Sequence, residues 1–173
     1  GLGKPEAVDA RALEDLGGTL VAHLNGVGET EASFAVDLGD GAGLAPEAAA
    51  AHLALGAALR AYRFDKYRTT EKPERKPTLK ALTIAGPAAT AARRAYESLA
   101  ATAEAVAFTR DLVSEPANVI YPETLAAQAA SLSSVGLEVE VLDEERMRSL
   151  GMHALLGVAQ GSVRPPRLAV MRW

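Results

Sequence analysis

Phe108-Thr109-Arg110-Asp111-Leu112-Val113-Ser114-Glu115-Pro116-Ala117-Asn118-Val119-Ile120-Tyr121-Pro122-Glu123 is the stretch on which the fold of this 173-residue chain turns. Its first half closes a helical pattern that begins near residue 88, in which Tyr96, Leu99, Ala103, Val106 and Phe108 supply the apolar positions. Pro116 stops that helix, because its ring clashes with the preceding turn and it has no N–H to donate. Pro122-Glu123 opens the next one, since proline is tolerated in a first helical turn. The stretch therefore predicts a long helix, a short break and a second helix.

Downstream, the second helix fades at Gly136. Leu137-Glu138-Val139-Glu140-Val141-Leu142 alternates with period two and predicts a strand. Asp143 is a good N-cap for a helix over 144–150, which Gly151 ends. Residues 152–158 form a short apolar element, and Gly161-Ser162, Pro165 and Pro166 turn the chain into a last strand over 167–173. Helix–helix–strand–helix–strand is the rhythm of a parallel or mixed sheet flanked by helices. The chain has no initiator Met and stops on an apolar strand, which needs a partner, so a segment of a longer chain is expected.

Upstream, residues 19–24 and 32–38 both alternate with period two, and Gly26-Val27-Gly28 lies between them, which predicts strand–turn–strand. Gly39-Asp40-Gly41-Ala42-Gly43 then makes a loop. Pro46 suits the first turn of a helix that carries Leu53, Leu55, Leu59 and Tyr62 among alanines and ends near Phe64. Residues 65–80 are charged and hold Pro73 and Pro77, the signature of an exposed loop. A short strand over 79–85 closes at Gly86-Pro87.

Composition bounds the class. Hydrophobic residues make up 49% and charged residues 23%, a globular balance, but aromatics are only 5%, so the core is built from Ala, Leu and Val. The net charge of −4 argues against nucleic acid as the main partner, because phosphate binding needs a basic surface. No cysteine is present, which excludes disulfides, thiolate zinc sites and cysteine nucleophiles. No run approaches the 18 or so apolar residues that a membrane span requires, and the N-terminus lacks a signal-peptide pattern.

Candidate chemistry is sparse. His23, His52 and His153 form no His-x-x-x-His or His-Glu-x-x-His pair, so no metal site is visible, and each reads as structural or solvent-facing. No Gly-x-Ser-x-Gly elbow surrounds Ser33, Ser98, Ser114, Ser149 or Ser162. The loop Gly39 to Gly43 follows a strand and precedes a helix, where backbone N–H groups could hold an anion. It lacks the dinucleotide and Walker-type spacings, and a flexible glycine loop explains it as well. Lys72, Arg75, Lys76 and Lys80 are interleaved with Glu71 and Glu74, and mixed signs read as a solvated loop rather than a nucleic-acid patch. Asp143, Glu144 and Glu145 are explained by capping and the helix dipole.

The opening stretch also resembles the leucyl (cytosolic) aminopeptidase family, whose members carry a pattern like Ala-Arg-Asp-Leu-x-x-x-Pro-x-Asn-x-x-x-Pro near the start of their peptidase domain. The likeness continues through Val139-Glu140-Val141-Leu142-Asp143, then Leu150-Gly151-Met152-His153-Ala154-Leu155-Leu156-Gly157-Val158-Ala159-Gln160-Gly161-Ser162, and ends in Pro165-Pro166-Arg167-Leu168. Tyr62-Arg63-Phe64-Asp65-Lys66-Tyr67-Arg68 is similar to the same family just ahead of the charged loop. Tyr121 stands where that pattern commonly has Thr, and Ser114-Glu115 replaces a more usual Asn-containing pair.

The resemblance implies an α/β architecture: a mixed-sheet N-terminal domain, partial here over 1–86, joined by a long helix to the first elements of a second α/β peptidase domain within 87–173. It implies a parent enzyme that is cytoplasmic, assembles as a homo-hexamer and releases N-terminal residues from peptides with two divalent ions, manganese or zinc. Such ions polarise the scissile carbonyl and generate a metal-bound hydroxide at neutral pH. The family's ligand motifs, resembling Val-Gly-Lys-Gly-x-Thr-Phe-Asp-x-Gly-Gly and Asn-Thr-Asp-Ala-Glu-Gly-Arg, are absent from this sequence. No catalytic, substrate-binding or metal residue is therefore expected in the segment, nor any cofactor. Its expected role is domain positioning and oligomer contacts. The alternative is a non-enzymatic α/β module that binds a nucleotide or other anion at Gly39 to Gly43.

Overall fold

A computed structural model describes residues 4–39 and 43–173. The chain folds as two compact units, Gly1–Arg110 and Asp111–Trp173.

In the first unit, helix α1 (Ala10–Val27) starts at Asp9, whose carboxylate accepts the Ala12 N–H at 2.8 Å. It ends at Gly28, where φ of +85° is the left-handed value that favours glycine. Strand β1 (Glu31–Ala35), helix α2 (Pro46–Ala61) and strand β2 (Ala81–Ala85) follow, and helix α3 (Ala89–Ser114) carries the chain across the Arg110 boundary between the units. β1 and β2 pair in parallel, from Glu31 opposite Ala81 to Ala35 opposite Ala85, with α2 inside the long connection that a parallel pair requires. Val8, Leu13, Val36, Ala49 and Leu53 form the core, and Leu16, Leu20, Phe34 and Ile84 pack against it.

One expectation fails here. Residues 19–24 belong to α1, not to a strand. Leu13, Gly17 and Val21 are its buried positions, spaced by four, and the alternation over 19–24 is too short a window to separate the two periods. Gly17 has a packing role within the helix. A Cβ there would sit 2.1 Å from the Leu53 carbonyl oxygen, so it is the point at which α1 and α2 touch backbone to backbone. β1 survives from the expected hairpin, but its partner is β2, fifty residues later.

Helix α3 runs one residue past the expected 113 and stops before Pro116. Tyr96, Leu99, Ala103 and Phe108 are half-buried along it, while Val106 is exposed.

In the second unit, helix α4 (Pro122–Ser131) leads through a short 3-10 turn to Gly136, at φ +100°, and into strand β3 (Glu138–Leu142). Asp143 caps helix α5 (Glu144–Ser149) by accepting the Arg146 N–H at 2.8 Å. Gly151, at φ +75°, turns the chain into helix α6 (His153–Ala159). Strand β4 (Leu168–Arg172) pairs with β3 antiparallel, from Glu138 opposite Arg172 to Leu142 opposite Leu168. Two short helices and a turn connect the strands, a return path that an antiparallel pair accepts. Arg172 lies 3.3 Å from Glu138 and 3.6 Å from Glu140 across the pair. Ala126, Leu142 and Met147 are the buried apolar side chains of this unit. The architecture is α/β throughout, with a parallel pair in one unit and an antiparallel pair in the other.

Candidate functional site: a basic cleft in the first unit

The three histidines lie on three different helices. His23 is exposed on α1 and His153 on the first turn of α6, while half-buried His52 on α2 places Nδ1 2.7 Å from Glu14 Oε1 on α1. Among the described residues no group of three or more His, Cys, Asp or Glu side chains could hold a metal ion. Ser162 Oγ accepts the Arg164 N–H at 3.0 Å, and Ser149 Oγ donates to the Arg146 carbonyl, so both have local structural uses. Glu144 pairs with Arg148 one turn on, at 2.6 Å. The Gly39 to Gly43 loop lies partly outside the described residues, at 40–42. Gly39 itself has φ +67° and donates its N–H to Asp37 Oδ1.

The structure does gather residues the sequence left apart. The C-terminal ends of α1 and α2 and the loop through residue 79 enclose an open cleft of about 420 Å³. Its walls include Asn25, Arg60, Arg63, Glu74, Arg75 and Lys76. Arg75 and Lys76 come from the charged loop singled out above; Lys72 and Lys80 of that loop do not line the cleft. Asn25 holds the loop in place. Its Oδ1 accepts the N–H groups of Thr78 at 2.8 Å and Leu79 at 2.9 Å, while its Nδ2 donates to the Val21 carbonyl at 2.9 Å.

Arg63 holds the loop from the other side. It donates to Glu71, lies 3.6 Å from Asp65, and makes a long 3.4 Å hydrogen bond to the Arg75 carbonyl. The hydrogen bond from Arg63 keeps the Glu71 carboxyl below the usual glutamate range against the opposing effect of desolvation, and Glu71 in turn raises the Arg63 guanidinium. Two features escaped sequence reading: the Asn25 pin, which spans more than fifty residues, and the pairing of Arg63 with Glu71 across the loop.

Arg110, near the end of α3, also finds a use within the first unit. Its guanidinium sits 4.7 Å from the Tyr62 ring centroid and donates to the Leu59 carbonyl at 2.9 Å, one of the orphan acceptors at the end of α2. In the second unit Arg164 stacks 3.7 Å over the ring of Tyr121, so the residue that departs from the family pattern serves as a platform for a cation.

Two family models match the chain in order: the cytosol aminopeptidase family N-terminal domain over residues 1–71, and the catalytic domain of the same family over 107–173. A probable cytosol aminopeptidase of Caulobacter vibrioides is 57% identical over 124 residues, covering 72% of this chain and 25% of that protein. A probable cytosol aminopeptidase of a Chelativorans species is 45% identical across 100% of this chain and 34% of its own length. The chain thus spans a quarter to a third of these curated relatives. Among solved structures, the bottromycin maturation enzyme BotP in complex with Mn is similar over 99% of this chain and 35% of its own, with TM-score 0.81 and 28% identity. A mutant of tomato leucine aminopeptidase shares the fold over 95% of this chain and 33% of its own, with TM-score 0.78 and 24% identity.

Proposed function

The chain belongs to the cytosol aminopeptidase family, and from that premise we propose that it is the N-terminal and joining portion of a metal-dependent leucyl aminopeptidase, which releases N-terminal residues from peptides. The observation that carries this is the ordered pair of domain matches, N-terminal then catalytic, along one chain. In this reading residues 1–86 form an N-terminal α/β domain, and 87–173 supply the joining helix and the opening elements of the peptidase domain.

Divalent metal is supported by family membership and by the Mn complex of the structural neighbour, while zinc as the alternative rests on the resemblance. The described residues of this chain do not themselves fit a two-metal centre, which needs several converging ligands. No hydrolytic step is therefore assigned to them, and their role is to position the peptidase domain and contribute to oligomer contacts. Assembly as a homo-hexamer rests on the resemblance. Cytoplasmic location is supported by the relatives' name, and no described helix is long and apolar enough to cross a membrane.

Leucine amide offered to the 173-residue chain with Mn(II) or Zn(II) should remain intact; turnover would overturn the assignment. A polypeptide that continues this segment to the length of its relatives should release leucine, stop on chelation and recover with either ion. Activity that survives chelation would overturn metal dependence.

A further inference from the structure

The loop around the basic cleft carries more uncompensated charge than its interleaved sequence suggests. Between Arg60 and Lys80 there are eight Lys and Arg against three Asp and Glu, a net +5 in a chain of net −4. Two of those three carboxylates are already engaged. Asp65 and Glu71 turn to Arg63, and Glu71 also lies 3.7 Å from Arg68; neither lines the cleft. Among the described residues, Arg60, Arg75 and Lys76 have no carboxylate within 4.0 Å. Glu74 is the one carboxylate among the lining residues. With Arg63 matched by Glu71, which reaches Lys76 only at longer range, the lining keeps three cations against one anion.

Exposed cations are ordinarily left to water. These three instead surround a concavity of about 420 Å³, within the range of small-ligand sites. The backbone that carries Arg75 and Lys76 is held from behind by Arg63, and the next turn by Asn25, so less ordering remains to be done on binding. A concave wall of net positive charge also concentrates the field. The basic surface is bounded, because beyond Arg60 the adjacent groove is lined by Glu14 and Asp15. An extended polyanion following the surface in that direction would meet carboxylates, whereas a compact anion would not.

We propose that this cleft binds a compact, multiply charged phosphate-type anion. Arg60 and Arg75 offer planar guanidinium forks and Lys76 a point charge, the donors that suit phosphate oxygens. The inference does not depend on the peptidase reading.

The test is calorimetric titration of the 173-residue chain with inorganic pyrophosphate at low and at physiological salt. Saturable one-to-one binding is expected, weaker at the higher salt. Arg75→Gln and Lys76→Gln, both at exposed positions, should each weaken it about tenfold with circular dichroism unchanged, an effect of about 1.4 kcal/mol. Lys72→Gln and Lys80→Gln, outside the lining, should leave it unchanged. Absence of saturable binding at millimolar pyrophosphate overturns the proposal. So does an equal loss in the Lys80 variant, which means diffuse attraction, or binding of a single-stranded oligonucleotide without binding of pyrophosphate.

Discussion

The backbone of Gly56 in α2 lies against that of Glu14 in α1, so closely that a Cβ on Gly56 would fall 1.9 Å from the Glu14 carbonyl oxygen. Gly17 makes the reciprocal approach to Leu53. A methyl group at either position must push two helices apart. Gly56→Ala and Gly17→Ala should each destabilise the first unit by about 2 kcal/mol or more, at or above the usual cost of overpacking. Gly18, one residue away, has its nearest neighbour 3.7 Å from the same position. Gly18→Ala should therefore stabilise α1 by about 0.5–1 kcal/mol, the helix-propensity gain alone. Urea unfolding followed by circular dichroism separates the two signs, and equal effects at positions 17 and 18 would refute the close crossing.

Asn25 accepts two backbone N–H groups from the loop with one oxygen. Asn25→Ala leaves both donors without that partner in a part-buried setting, at a cost of about 1–3 kcal/mol. Asn25→Asp keeps the acceptor and should cost less. Hydrogen exchange at the Thr78 and Leu79 amides checks this directly: both should speed up in the alanine variant and stay slow in the aspartate one.

These two relationships mark where sequence reading stops. The strand over 138–142 and the Asp143 cap were legible because their signals are local: strict alternation, and a carboxylate three residues before the N–H it accepts. Pro46 likewise announced α2. Helix α1 was missed although Asp9 and the spacing of Leu13, Gly17 and Val21 were present, because the six-residue alternation over 19–24 was read with the period of a strand. The cleft was missed for an electrostatic reason. Glu71 reads as a close neutralising neighbour of Lys72 and Lys76 until its hydrogen-bonded partner Arg63 is seen, and it then attracts Lys76 only at longer range.

The Arg63–Glu71 pair makes the loop sensitive to acid. The carboxyl of Glu71 is held below its ordinary value by the Arg63 hydrogen bond. Its contribution is therefore fully present above the unfolded glutamate value of about 4.3 and is lost as pH falls through the lower folded value. Amide exchange in the loop should be unchanged from pH 7 to pH 5 and accelerate below pH 4, after correction for intrinsic rates. Glu71→Gln should show the loosened loop already at pH 7 and flatten the profile. A variant with the same acid response as the native chain would assign that response to another group.

Arg110 ties the end of α3 to the end of α2 by two contacts, one to the Tyr62 ring and one to the Leu59 carbonyl. Lysine can keep the charge but not the planar stack with a simultaneous donor. The hydrogen bond is exposed and Tyr62 only half-buried, so each contributes modestly, about 0.5–1 kcal/mol for the stack and a similar amount for the hydrogen bond. Arg110→Ala should cost about 1–2 kcal/mol, and Arg110→Lys should recover no more than half. Tyr62→Ala should remove the stack while leaving the Arg110 hydrogen bond to Leu59, and a double-mutant cycle of positions 62 and 110 should give a coupling near 0.5–1 kcal/mol. A coupling of zero would mean that Arg110 acts through Leu59 only. A loss on Arg110→Lys as large as on Arg110→Ala would place the whole effect in guanidinium geometry rather than in charge.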